Sequence, residues 1–136
     1  MNKITVWCDG GSRGNPGKSA SAFVARLNGR VVKQGSEFLG ITTNNVAEYS
    51  AVILALNWLT ETPDILPAEI NFILDSQLVV RQLSGVYKVK NTKLKELYET
   101  IKILETKIVS KINFVSVSRE KNILSDSMVN KELDKN

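Results

Sequence analysis

Four acids stand out by position. Asp9 follows the apolar run 4–8 and Asp75 follows the apolar run 70–74, while Glu48 and Asp126 lie near the starts of two segments with helical periodicity. Strand ends and helix starts meet along one rim of an open α/β sheet, where such folds collect their functional groups. Carboxylates gathered on a rim repel and raise one another's pKa unless a cation offsets them. Hard divalent ions with oxygen ligands, Mg²⁺ above all, are the usual solution. Each acid taken alone also has a structural explanation. Asn45-Val46-Ala47-Glu48 fits a capping box, and Asp75 suits the cap of a helix beginning at Ser76. Asp126 is favourable near a helix N-terminus, and Asp9 could support an Asx turn into the glycines after it. Taken together, these four explanations account for less than a shared cation does.

The stretch WCDGGSRGNPG at 7–17 adds an anion-facing side. Gly10, Gly11, Gly14 and Gly17 allow close backbone approach to a phosphate, with Arg13 available to pair with it. No Gly-Lys-Ser/Thr follows and the glycines lead toward a strand, so a Walker loop and a dinucleotide fold are both excluded. Histidine is absent, which leaves carboxylates, lysine, hydroxyls or Cys8 for any catalysis. Cys8 is the single cysteine, set among bulky apolar neighbours, and reads as core packing; it cannot form an internal disulfide.

The elements that must position these groups follow from periodicity. Residues 4–8 predict a strand stopped by Gly10-Gly11, and residues 19–27 and 30–39 predict two more, joined by the two-residue turn Asn28-Gly29. Ala47, Ala51, Leu54 and Trp58 predict a well-buried helix over 44–60, closed by Pro63 and Pro67. A strand at 70–74 and a short helix at 76–84 follow, the latter stopped by Gly85. The stripe Leu94, Leu97, Ile101, Leu104 and Ile108 predicts a helix over 91–109, then a strand over 112–117 and a last helix over 125–134. Three antiparallel strands, then helices alternating with two strands, describe a mixed α/β sheet with helices on its faces.

The chain has 136 residues, 43% of them hydrophobic and 24% charged, which suits one soluble domain spanning residues 1–136. No apolar run is long enough for a membrane span or a signal peptide, so no membrane association and a cytoplasmic location are expected. The net charge of +4 leans toward an anionic partner. Seven lysines between Lys88 and Lys111 face only Glu96, Glu99 and Glu105, a pattern that also suits a solvated helix face.

These pieces, in this order, resemble ribonuclease H of type 1, especially its compact bacterial and archaeal form. DGGSRGNPG at 9–17, TTNNVAEYSAVILAL at 42–56, DSQLVVRQLSGVYKVKN at 75–91 and SREKNILSD at 118–126 resemble the family's successive motifs and span nearly the whole chain. The resemblance implies a ribonuclease H-like five-stranded sheet, three strands antiparallel and two more parallel to the first, flanked by helices. It makes Asp9, Glu48, Asp75 and Asp126 the catalytic, metal-binding set. It implies hydrolysis of the RNA strand of RNA/DNA hybrids, leaving 5′-phosphate and 3′-hydroxyl ends, by two Mg²⁺ ions about 4 Å apart with Mn²⁺ as a substitute. Asp9 would bridge both ions, with Glu48 and Asp75 on one and Asp126 completing the other.

Asn15, Asn44 and Asn45 are implied contacts to the hybrid's backbone or 2′-hydroxyls, helped by Gly10 and Gly11, with Thr43 and Ser76 as phosphate contacts. Arg119 and Asn122 belong to the loop that delivers Asp126, and Asn122 reads equally well as a turn residue. The chain departs from the family in three respects. Ala20 and Ala22 stand where many relatives have glycines, and no histidine occupies the mobile loop near the site. The interval between Leu83 and Asn91 is too short for an extra basic helix, a role left in part to Lys88 and Lys90. No obligate protein partner is implied, and a monomer is expected. A non-catalytic hybrid-binding module of the same fold is the alternative, though four mutually repelling acids give a binder little. Another metal-dependent nuclease of similar fold lacks support, because the large extra segments such enzymes need are missing.

Overall fold

The computed structural model describes residues 2–62, 64 and 66–136. Its five strands are β1 (Ile4–Arg13), β2 (Gly17–Leu27), β3 (Arg30–Thr42), β4 (Glu69–Leu74) and β5 (Lys111–Ser116). Its α-helices are α1 (Asn44–Thr60), α2 (Gln77–Leu83), α3 (Thr92–Thr106) and α4 (Ile123–Lys135). The strands form one sheet in the order β3-β2-β1-β4-β5. β1 pairs antiparallel with β2 and β2 antiparallel with β3, whereas β4 lies parallel to β1 and β5 parallel to β4. This is the expected fold.

Asn28 and Gly29 both have positive φ, 52° and 86°, the backbone that a two-residue turn between right-twisted strands requires. Three expected ends move. β1 does not stop at Gly10-Gly11, because antiparallel pairing with β2 carries it on from Ile4↔Leu27 to Arg13↔Lys18. β3 likewise continues to Thr42, which pairs with Gly17. α3 ends at Thr106 rather than at residue 109, although Ile108 beyond it is still buried. The helix closure expected at Pro63 lies outside the described residues.

Side chains alternate across a strand, so neighbouring residues of β1 report on opposite faces of the sheet. A Cβ at Gly10 would meet Ala47 of α1, and one at Gly11 would meet Val129 of α4. The main core therefore lies on the α1 side, where Ala51, Val52, Ala55, Leu56 and Leu59 of α1 pack with Ile4, Val6, Ile70 and Phe72 of the sheet. Val79 and Leu83 of α2 and Leu94 and Ile101 of α3 complete that cluster. On the opposite face, Val129 and Leu133 of α4 rest on Ala20 and Ala22, both fully buried. The two alanines that depart from the family pattern are thus the floor on which α4 sits.

Among the described residues, no helix is long and apolar enough to cross a membrane.

Candidate active site

The parallel register of β1 and β4 runs from Ile4↔Ile70 to Trp7↔Ile73. Carried two residues further, it sets Asp9 level with Asp75, immediately after Leu74 ends β4. Asp9 thus stands at the end of the parallel ladder and inside β1, not at the end of the strand and not in an Asx turn. Glu48 arrives from above. A Cβ at Gly10 would lie 2.2 Å from the carbonyl carbon of Ala47, so the backbones of β1 and α1 touch where only glycine fits. Ser21 donates its hydroxyl to the Ala47 carbonyl at 2.5 Å, which ties the same turn of α1 to β2. That contact brings Glu48 to Asp9. One carboxylate oxygen each from Asp9, Glu48 and Asp75 lie within 4.8 Å of one another.

Neighbouring residues do the capping once ascribed to these acids. Thr43 caps α1, its Oγ1 accepting from the Val46 amide at 3.3 Å, and no acid lies in the first turn of that helix. Ser76 caps α2, its Oγ accepting from the Val79 amide at 3.2 Å. Glu48 and Asp75 are therefore not needed by their helices. Asp126 does lie in the first turn of α4, where its charge suits the helix dipole. It also lines the same cleft as the other three acids, and its carboxyl is among the groups that raise Asp9.

The cost of this gathering appears in the titration of the acids. Burial, then the charges of Asp75 and Glu48 and the contact with Asp126, push Asp9 up from 3.8 to about 9. Burial and Asp75 raise Glu48 from 4.5 to about 8, against the opposing pull of Arg119 and of the nearby Ser76 hydroxyl. Burial raises the Cys8 thiol well above its usual range, with Asp9 and Glu48 adding to the effect, so Cys8 is inert core as expected. Glu48 Oε2 is buried and has no hydrogen-bond partner. An orphaned carboxylate oxygen facing two further carboxylates is an uncompensated acceptor set, and a hard divalent cation fits it. The cleft above the acids has a volume of about 420 Å³.

The other expected site residues divide. Asn15 Oδ1 accepts from the Asn44 amide at 3.1 Å, and Asn44 Oδ1 accepts from the Ser12 amide at 2.9 Å. The pair clasps the turn between β1 and β2 to the start of α1, beside the acids. With both oxygens engaged, what each asparagine offers a ligand is its amide N–H₂. Asn45 is half-buried in the first turn of α1. The Thr43 and Ser76 oxygens accept from helix amides as caps, which leaves each O–H as the group a phosphate could meet. Gly10 is pressed by α1 where its Cβ would lie, and its backbone and that of Gly11 both line the cleft.

Arg13 lines the cleft too, but its guanidinium pairs with Asp134 of α4 at 2.6 Å and donates to the Asn130 carbonyl at 3.4 Å. Lys88 and Lys90 are exposed on the segment after α2, and Lys88 borders a separate groove with Tyr87, Lys95 and Tyr98. The structure does not bring these lysines to the acids. Two residues gain importance. Arg119 lines the cleft and faces Glu48 electrostatically, and its signal in the sequence is a lone arginine in the loop before Asp126 of a chain without histidine. Asn122 is 1% exposed and bonded to the sheet, not a turn residue in solvent.

Comparison with known proteins agrees with this geometry. The family model described as RNase H matches residues 1–121. LC11-RNase H1, isolated from compost and solved in complex with an RNA/DNA hybrid, superposes with a TM-score of 0.92 at 40% identity, covering 98% of each chain. RNase H1 from the halophilic archaeon Halobacterium salinarum superposes at 0.90 with 32% identity, covering 98% of this chain and 99% of that one. The bifunctional protein Rv2228c of Mycobacterium tuberculosis is 34% identical over 134 residues, 97% of this chain but only 36% of that protein's length. With the family model matching residues 1–121 and a solved relative covering 98% of its length, the chain belongs to the RNase H family.

Proposed function

We propose that residues 1–136 act as one catalytic domain, a type 1 ribonuclease H that cuts the RNA strand of RNA/DNA hybrids internally. The observation that carries this reading is the triad Asp9, Glu48 and Asp75, converging within 4.8 Å with one buried carboxylate oxygen unpartnered. The relative solved with an RNA/DNA hybrid supports the choice of substrate. Asp9, Glu48, Asp75 and Asp126 would together hold two Mg²⁺ ions, or Mn²⁺ in their place. Asp9 would be shared between the ions, Glu48 and Asp75 would serve one, and Asp126 would complete the other. Bound there, such ions supply Lewis acidity at the scissile phosphate and lower the pKa of the attacking water.

The chain's own groups do the remaining work. Asn15, Asn44 and Asn45 present amide donors beside the acids, suited to 2′-hydroxyl and sugar oxygens across a shallow minor groove, so shape is read instead of base identity. Arg119, placed against Glu48, offers a guanidinium to a phosphate at the cut. Arg13 is held back by Asp134 and serves the fold first. Lys88 and Lys90, away from the acids, would add salt-sensitive grip along the duplex. Products would carry 5′-phosphate and 3′-hydroxyl ends. The test is incubation of end-labelled RNA/DNA hybrid, DNA duplex, RNA duplex and single strands with Mg²⁺ or with EDTA. Metal-dependent cutting of the RNA in the hybrid is expected; an intact hybrid with Mg²⁺ present would leave a binding module as the better reading.

A further inference from the structure

Asn122 occupies the cap position of α4, where an asparagine ordinarily turns its side-chain oxygen onto the helix's own amides. Here it makes no such bond. Its Nδ2 instead donates to the Cys8 carbonyl at 2.8 Å, while its Oδ1 accepts from the Ser125 hydroxyl. Asn122 and Ser125 are each 1% exposed. The Cys8 carbonyl belongs to the peptide group that leads into Asp9. The Asn122 carbonyl, for its part, accepts the Asp126 amide at 3.2 Å. One buried residue is thus bonded to the peptide that carries one acid and to the backbone of another, across 114 positions of chain. A side chain that gives up a local cap for a long-range bond departs from the local optimum, and such departures gather at functional sites.

We infer that Asn122, locked in its orientation by Ser125, is a positioning residue that sets Asp126 against Asp9 and so completes the cation site. This rests on the ribonuclease reading only for what the completed site does. The position itself is testable through cation binding. Asn122→Asp keeps volume and the acceptor toward Ser125 but opposes an oxygen to the Cys8 carbonyl; Asn122→Ala removes both bonds, and Ser125→Ala frees the amide to rotate.

Mg²⁺ and Mn²⁺ binding is measured by calorimetry, and kcat and KM are measured on the hybrid well below each variant's melting temperature. Loss of a group that orients a ligand typically costs about 10–100-fold in metal affinity or activity. Both Asn122 variants should therefore weaken cation binding about tenfold or more and lower kcat while KM changes by less than about twofold, with kcat recovering at high Mn²⁺. In an Asp126→Asn background, Asn122→Ala should cost little more, because the two act through one group. If Asn122→Ala melts lower but binds cations as wild type does, or if its effect persists undiminished beside Asp126→Asn, the inference is overturned. Should Asn122→Ala fail to fold, Ser125→Ala and Asn122→Asp decide by the same readouts. Failure of wild type to cut the hybrid would sink the ribonuclease reading, and the calorimetric comparison would still decide the role of Asn122.

Discussion

Replacing Asp9 by asparagine isolates the energy of holding these acids together without a cation. In the folded, metal-free protein Asp9 is pushed up from 3.8 to about 9 by burial and by Asp75, Glu48 and Asp126, whereas in the unfolded chain it returns to the ordinary carboxylate range. Between those values the folded state keeps a proton that the unfolded state has lost. Its contribution to stability is complete below about pH 4 and is lost progressively as pH rises to about 9. One such proton is worth about 1.4 kcal/mol per pH unit. Asparagine does not titrate, so Asp9→Asn should gain on wild type by up to about 3 kcal/mol between pH 5 and pH 7.5. For a chain of this size that is a rise of about 10 °C in the melting temperature relative to wild type. Thermal unfolding by circular dichroism in EDTA at pH 5, 6, 7.5 and 9 measures the gap directly. Parallel pH profiles for the two proteins would refute the reasoning, because Asp9 would then not be carrying the extra proton. Added Mg²⁺ should narrow the gap at high pH by stabilising wild type through binding to the folded state.

Other outcomes follow from the same geometry. Asp75→Asn and Asp126→Asn should each lower hybrid cleavage by at least about 100-fold, and Asp75→Asn should do so without lowering the melting temperature in EDTA, since it removes a repelling charge; retained activity would take that residue out of the site. Because Glu48 and Asp9 must shed protons to bind a cation, the Mg²⁺ concentration giving half-maximal activity should fall as pH rises from 6 to 9, and a pH-independent value would contradict the raised titrations. Gly10→Ala would place a methyl group 2.2 Å from the Ala47 carbonyl carbon, backbone against backbone, and should cost about 3 kcal/mol or more in denaturant unfolding along with activity; an unperturbed melting curve would show that α1 does not rest there. Arg119→Ala should slow cleavage about 10-fold or more while leaving stability within about 0.5 kcal/mol, as checked by steady-state kinetics beside thermal unfolding.

Much of this protein is written locally in its residues. Periodicity of two or of 3.6 separates strand from helix, Asn28-Gly29 demands a tight hairpin, and the succession of elements describes a mixed α/β sheet, while the two strands parallel to the first come from the family resemblance. The four acids are visible because strand ends and helix starts mark where a rim must lie. What sequence periodicity could not decide is which partner a group finds across the chain. The glycines after Asp9 look like a turn, yet β1 continues through them because β2 lies alongside to pair, and Gly10 is required by the Ala47 carbonyl carbon pressed against it. Arg13 looks free for a phosphate until α4 folds back to bring Asp134 from 121 positions away. Glu48 and Asp75 look like caps until Thr43 and Ser76 do that work, and Asn122 looks like a turn until burial ties it to Cys8. The titrations of Asp9 and Glu48 belong wholly to the tertiary structure, because desolvation and charge repulsion depend on distances that only the folded chain sets.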